Sequence, residues 1–379
     1  MKVSSFRGAG GLRTEEDKTL FLFSMKLTRA TDSFSTLGEE IKKYMDSPGS
    51  YPEWETAMSY AQRQNAWFTK ENILLSLKNI APWLTKETLQ KWLGKYHLPE
   101  ENEKPISVGV IMAGNIPLVG FHDMLCVMVT GNILCAKLSH SDSILIKFIA
   151  KKLIEIEPSW QEQIKFVDKL STSSDAIIAT GSNNSAKHFE YYFKNIPHII
   201  RKNRNGVAVL NGHETDQELS DLGIDVFSYF GLGCRNVSKL YVPEGYDFGA
   251  FFRNIEKYGP VINQNTYANN YNYNRTIYLM DSKVFTDNNF LMVTENKAIA
   301  SPIAVVYFEY YKDLPGLGKE LLGEIESIQC IAASDEVKKT LQRHSPISIV
   351  SLGQTQSPSL EDYADGVDEV KFLMEQNKA

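Results

Sequence analysis

Cysteine is scarce in this chain: 4 in 379 residues, too few for a disulfide framework. Cys126, Cys135, Cys234 and Cys330 form no Cys-x-x-Cys pair, so no metal site is expected. Excess positive charge is also missing, with 40 basic against 46 acidic side chains and a net charge of −6. That balance argues against nucleic acid as the main partner. The longest uncharged stretch is interrupted by Gly, Asn and Pro, so no transmembrane segment is expected. The run Thr19 to Met25 is too short for a signal-peptide core. No internal repeat or low-complexity tract is visible. What remains is an ordinary globular composition, 43% apolar and 23% charged. The length suits two or three domains and a cytoplasmic protein.

Residues 1–24 are rich in Gly and charge without an apolar period, and read as a flexible extension. A helical segment follows over 25–104. Its first helix is expected from Ser33, within SFSTLGEEIKKYM, and Phe68, Ile73, Leu74 and Leu77 recur at helical steps in the next. Thr85 caps a further helix. From Pro105 the pattern changes to short apolar strands, PISVGVIM, NILCAKL, KFVD, DAIIATGS, NGVAVLN and SKLYVP, alternating with helical stretches such as SDSILIKFIAKKLIEIEP. This rhythm predicts an α/β fold with a parallel sheet. The Asn- and Tyr-rich stretch VINQNTYANNYNYNRTIYLMD reads as a loop leading into a strand. SPIAVVYFEYY, IQCIAAS and PISIVSL read as further strands, and the acidic tail runs into a final helix. The simplest division is 105–230 and 231–350, with a C-terminal tail and helix over 351–379.

Four short segments can carry chemistry. Cys234 lies in FGLGCRNV behind Gly231 and Gly233, with Arg235 beside it to lower the thiol pKa. Taken alone, a single cysteine is more often a small core residue. Thr180, Gly181 and Ser182 join a strand to a helix whose N-terminus favours an anion. Any strand-to-helix turn resembles this one. Lys137 and Ser139 stand at a strand end, where parallel sheets bind ligands, although such a lysine is usually solvated. Asn115, after Gly114, can aim its amide at a developing oxyanion or simply serve a turn. His122, His188, His198 and His213 are expected to be structural or surface residues.

In this order GNIPL, AKLS, TGS and GLGC resemble the motif series of the aldehyde dehydrogenase superfamily. That series has an Asn-x-Pro turn, a Lys-Pro-Ser strand end, a Thr-Gly-Ser turn and a Gly-Gln-x-Cys loop. GLGCRNVSKLYVP, ENKAIASPIAVVYFE and PSLEDYADGVDEVKFL are similar to the acyl-CoA reductase (LuxC-type) branch, and the likeness spans about residues 30–375. It implies a two-domain architecture, with a Rossmann-like cofactor domain and an α/β catalytic domain carrying the nucleophile. It further implies Cys234 as the nucleophile forming a thioester and Asn115 in the oxyanion hole. Lys137 and Ser139 would meet the adenosine ribose, and Thr180, Gly181 and Ser182 the pyrophosphate.

The departures refine that expectation. The dehydrogenase branch carries a water-activating Glu some thirty residues before its Cys, whereas here no carboxylate stands between Glu190 and Glu214. An acyl-enzyme would then be poorly hydrolysed and left for a thiol or a hydride. His140 takes the place of an acid that binds the ribose 2′-OH, favouring NADPH over NADH. Ala298 and Ala186 replace family residues near the cofactor. The expectation is an NADPH-dependent reductase of an acyl-CoA or acyl-carrier thioester, with a fatty acyl chain, assembled as a homo-oligomer. The alternatives are an acyl-transfer subunit of a fatty-acid reductase complex and a degenerate non-catalytic binding subunit. Asp362, Tyr363 and Asp365 match the branch without an evident physical role.

Overall fold

The computed structural model describes residues 26–343 and 346–377; the expected extension over 1–24 lies outside them. Four helices come first: α1 (Leu27–Asp46), α2 (Pro52–Gln64), α3 (Lys70–Ile80) and α4 (Lys86–Leu93). Thr69 and Thr85 cap α3 and α4 by accepting the N–H of Asn72 at 3.3 Å and Thr88 at 3.2 Å. The first helix begins before the expected Ser33. That serine instead turns its hydroxyl onto the Ala30 carbonyl, at 2.9 Å, inside the helix. Phe34, Leu37, Ile41 and Tyr44, three or four residues apart, make the buried face of α1.

The first sheet is assembled from β1 (Ser107–Ile111), α5 (Phe121–Val129), β2 (Ile133–Lys137), α6 (Ile144–Ile156), a short α7 (Trp160–Gln163), β3 (Ile164–Phe166), β4 (Ala176–Thr180), α8 (Asn183–Tyr192) and β5 (His198–Arg201). Its strands run parallel in the order β3-β2-β1-β4-β5. The order reverses between β1 and β4, and ligands bind at such switch points beyond the strands' C-terminal ends. Helices α1 to α4 share one core with α5, α6 and the strands.

The second sheet takes β6 (Asn205–Val209), α9 (Asp216–Phe227), β7 (Val237–Pro243), α10 (Phe248–Ile255), α11 (Asn265–Met280), β8 (Thr286–Asp287), β9 (Met292–Glu295), β10 (Val305–Tyr311), α12 (Leu314–Gly323), β11 (Ile328–Ala333), α13 (Asp335–Leu341) and β12 (Ile349–Ser351). The order is β12-β11-β6-β7-β10-β9-β8, and only β8 runs antiparallel to its neighbour. Every residue of β11 is buried, as expected for a strand covered on both faces. The last helix, α14 (Glu369–Gln376), returns to the first sheet, where Val370 and Leu373 join its core. Among the described residues no helix is long and apolar enough to cross a membrane.

Two expectations are corrected. The change of sheet falls between Arg201 and Asn205, because β6 pairs with β7 and β11 rather than with β5. Residues 205–230 therefore build the second sheet, and the boundary at 230/231 moves back. The stretch read as a loop before a strand is helix α11. Gln264 caps it by accepting the Tyr267 N–H at 2.6 Å. Tyr267, Tyr271, Asn274 and Tyr278 form its buried face at steps of four, three and four. Tertiary burial of one tyrosine stripe outweighs the weak helix propensity of Asn and Tyr.

Asp225, on α9, fixes the chain that leads from the second sheet back to the first. Its carboxylate accepts the N–H of Gly353 at 2.6 Å, and the N–H and hydroxyl of Thr355 at 2.9 and 2.8 Å. Gly353 has φ +84°, and a Cβ there would lie 2.8 Å from that of Asp221. Asp225→Ala leaves these buried donors without an acceptor and is expected to destabilise the protein by roughly 2–4 kcal/mol. Urea unfolding measures the loss.

Candidate active site

The C-terminal edge of the first sheet gathers most of the residues singled out by sequence. Gly114 and Asn115 follow β1, Lys137 closes β2 with Ser139 just beyond, and Thr180 closes β4 before Gly181 and Ser182. A side chain at Gly114 would meet Ser139, with Cβ atoms 2.6 Å apart, so the loops after β1 and β2 touch only because Gly114 has none. Ser139 caps the turn opened by His140 and accepts the Ser141 N–H at 3.2 Å. Ser182 caps α8 by accepting the Ser185 N–H at 3.1 Å.

Cys234 arrives from the second sheet, on the loop between α9 and β7. Tyr229, Phe230 and Gly231 precede it with φ of 52°, 57° and 81°. Two consecutive non-glycine residues in the left-handed region are costly, and such strain persists only where the surroundings impose it. Here the Tyr229 hydroxyl meets that of Ser76 at 3.1 Å, and Phe230 packs against Trp67. Asn115 reaches across and donates its amide N–H to the Leu232 carbonyl at 2.8 Å. One N–H of that amide is thus committed to holding the cysteine loop.

Between the two sheets lies a cavity of about 200 Å³ into which Cys234 opens. Ile80, Trp83, Ile116 and Val119 give it an apolar wall, and Thr180, Asp123, Arg201 and Glu369 a polar one. Of the four cysteines, Cys234 is the exposed one. The protein packed around the cavity nevertheless pushes its thiol up. Arg235 pulls it down, as the sequence suggested, and Arg201 does so too, while Asp365 opposes them. Desolvation wins, so the resting group is a thiol. Gln356 stands by the same loop, its Oε1 3.5 Å from where a Cβ on Gly233 would lie. Buried donors without partners face this region: Gln356 Nε2, Arg235 Nη1 and Arg201 Nε.

Arg201, Asp123 and Glu369 did not emerge from the sequence. Arg201 closes β5 almost fully buried, and its Nη1 donates to both oxygens of Asp123, at 2.8 and 3.0 Å, and to the Thr180 hydroxyl at 3.3 Å. Its Nη2 donates to Glu369 Oε1. Burial opposes the guanidinium's charge, but the two carboxylates outweigh it and raise its pKa. Burial pushes the Glu369 carboxyl up, although Arg201 pulls it back. The available signal was a charge inside an apolar run: the Arg of HIIR and the Asp of HDMLCVMV.

Thr180 and Cys234 line the cavity, while Asn115, Lys137, Ser139, Gly181 and Ser182 lie along the same sheet edge outside its wall. His188, His198 and His213 are exposed. His122 is structural in its contacts, holding the Leu360 carbonyl through Nε2 at 3.0 Å between the rings of Trp83 and Tyr363. His122, Cys126 and Glu369 bring possible metal-ligating atoms within 4.8 Å of one another. The guanidinium bonded to Glu369 disfavours a cation there, and burial raises the Cys126 thiol well above its usual range. Asp362 accepts from the N–H and hydroxyl of Ser359 at 2.8 and 3.0 Å, and Asp365 pairs with Arg204 at 3.0 Å. The Tyr363 hydroxyl takes the Trp92 indole N–H at 2.7 Å. These three tail residues thus have structural partners.

Solved structures of several aldehyde dehydrogenases share this fold. Aldehyde dehydrogenase 21 from Physcomitrella patens, in complex with the reaction product succinate, is 13% identical with a TM-score of 0.65, over 94% of this chain and 85% of that one. Indole-3-acetaldehyde dehydrogenase AldA of P. syringae, in complex with NAD+ and IAA, is 12% identical with a TM-score of 0.64, over 89% and 79%. The NAD-dependent aldehyde dehydrogenase from Sinorhizobium meliloti is 11% identical with a TM-score of 0.61, over 86% and 75%. No curated protein matches the chain. The family model for acyl-CoA reductase (LuxC) matches residues 28–242, from α1 through β7 and including Cys234. On that match, carried by an aldehyde dehydrogenase fold, the chain belongs to the acyl-CoA reductase (LuxC) family.

Proposed function

We propose that this protein reduces a fatty acyl-CoA to the aldehyde with NADPH, through a thioester on Cys234. The observation that carries the reading is the meeting of an exposed cysteine, an apolar cavity wall and a crevice at the switch point of a parallel sheet. The residues at that crevice fit a dinucleotide. The N-terminus of α8 opens at Ser182, Gly181 carries no side chain, and half-buried Lys137 supplies a cation. A nicotinamide coenzyme bound there supplies the hydride.

The chain's own residues do the rest. Cys234 Sγ, as thiolate, attacks the thioester carbonyl, and the coenzyme A thiolate leaves and is protonated. Arg235 and Arg201 stabilise the thiolate that must form from a raised thiol. The free N–H of Asn115 and backbone N–H groups of the cysteine loop receive the oxyanion. Ile80, Trp83, Ile116 and Val119 hold the acyl chain and exclude water. After reduction of the acyl carbon, the tetrahedral oxyanion collapses and returns Cys234 as thiolate with release of aldehyde. For the coenzyme, the acid closest in sequence to His140, Asp142, is buried and holds the Leu118 N–H at 2.6 Å. Burial pushes that carboxyl up to about 7, which weakens the charge it would set against a 2′-phosphate.

NADPH oxidation across acyl-CoAs of different chain length tests the reading, with Cys234→Ala expected to lower the rate by roughly 10³-fold or more. A variant as fast as the wild type contradicts it. Because burial raises the Cys234 thiol, its alkylation by iodoacetamide should keep accelerating beyond the pH at which an ordinary cysteine levels off, about 8.5–9. Arg235→Gln removes a charge that favours the thiolate, and is expected to slow alkylation at neutral pH by about threefold to tenfold. His140→Asp should raise the KM for NADPH about tenfold and leave that for NADH nearly unchanged.

A further inference from the structure

Four carboxylates line the cavity that Cys234 shares: Asp123, Asp362, Asp365 and Glu369. Each has at least one oxygen engaged, while Glu369 Oε2 is buried without a partner. Asp362 is held by Ser359, and Asp365 by Arg204. Asp123 and Glu369 are both held by Arg201, which gives Nη1 to both oxygens of the first and Nη2 to Oε1 of the second. The guanidinium cannot be deprotonated, so it keeps this grip throughout the working pH range. In Asp123, water entering the cavity thus meets a carboxylate both of whose oxygens face a fixed cation. Burial pushes the Glu369 carboxyl up, so its unpartnered oxygen belongs to a group that resists ionising.

We infer that Arg201 decides the fate of the acyl-enzyme, withholding Asp123 from water so that the acyl group waits for reduction instead of being hydrolysed. The inference rests on the acyl-cysteine reading given above. In the reaction it suppresses, a bond forms between a water oxygen and the acyl carbon. The carbon–sulfur bond to Cys234 breaks, and the water proton passes to Asp123. The products are a free carboxylic acid and the Cys234 thiolate, and no electrons are transferred. Arg201 acts here through the carboxylates it holds, as a positioning residue. It also lowers the Cys234 thiol, which places its charge within electrostatic reach of the acylated atom.

The test omits the nicotinamide coenzyme, so that hydrolysis is the only route to turnover. The enzyme is mixed with the acyl-CoA that it reduces fastest, and released coenzyme A and free acid are followed by chromatography. Wild-type enzyme should release one equivalent of coenzyme A per site and then stop. Arg201→Gln loses a charge that favours the Cys234 thiolate and should give a slower burst, followed by steady release of acid at least about tenfold faster than wild type, the lower end of what a general base contributes. Arg201→Lys keeps the charge but cannot grip both carboxylates, and should give a smaller steady rate, about threefold above wild type. Adding Asp123→Asn to either variant should return it to burst alone. A burst without a steady phase in both single variants overturns the inference, as does a steady rate that survives Asp123→Asn. If Arg201→Gln does not fold, Arg201→Lys decides by the same criterion. Wild-type enzyme that gives no burst contradicts the acyl-cysteine reading itself, and the inference with it.

Discussion

A guanidinium can be taken out of water only if fixed acceptors replace its hydration, and in this chain that requirement determines where three distant segments meet. Arg201 ends β5, Asp123 lies in the first turn of α5, and Glu369 begins α14. Their side chains are almost wholly buried together. Removing one partner of such a group leaves an uncompensated charge, at a cost of about 3–5 kcal/mol. The C-terminal segment must therefore return from the second sheet to the first. In doing so it passes over the cysteine loop: Gln356 accepts from Asn79 at 2.7 Å through its carbonyl, and Pro358 from the Trp83 indole at 2.8 Å. The cavity is closed by the chain that this ion cluster draws back.

The division of labour follows from that geometry. The first sheet contributes the strand ends, the apolar wall after β1 and the charged cluster, while the second contributes Cys234. Asn115 links them directly, its side chain bonded to the backbone of the loop that bears Cys234. The thiol is raised by its packed surroundings rather than lowered, so its resting form is protonated.

Local periodicity made much of the fold legible. The strands of the first sheet from β1 to β4 and the helices α3, α4 and α6 stand where apolar spacing and caps put them. The stretch over α11 misled because Asn and Tyr favour loops and strands, and only the burial of Tyr267, Tyr271 and Tyr278 on one face makes it helical. The sheet boundary was misplaced for a similar reason: β5 and β6 are both short apolar runs, and nothing local says that they pair with different partners. In the site, Cys234, Asn115 and the strand-end residues were marked by glycines and turns, which act locally. Arg201, Asp123 and Glu369 were not, because their significance is a meeting across long sequence separations.

The central claim is that Cys234 carries the acyl group. Mass spectrometry of the enzyme, quenched in acid after mixing with acyl-CoA and no coenzyme, tests it most directly. The account predicts a mass increase of one acyl group, confined to the peptide containing Cys234 and absent from Cys234→Ala. An acyl adduct on another residue, or aldehyde formation by an enzyme that never acquires the adduct, would contradict it.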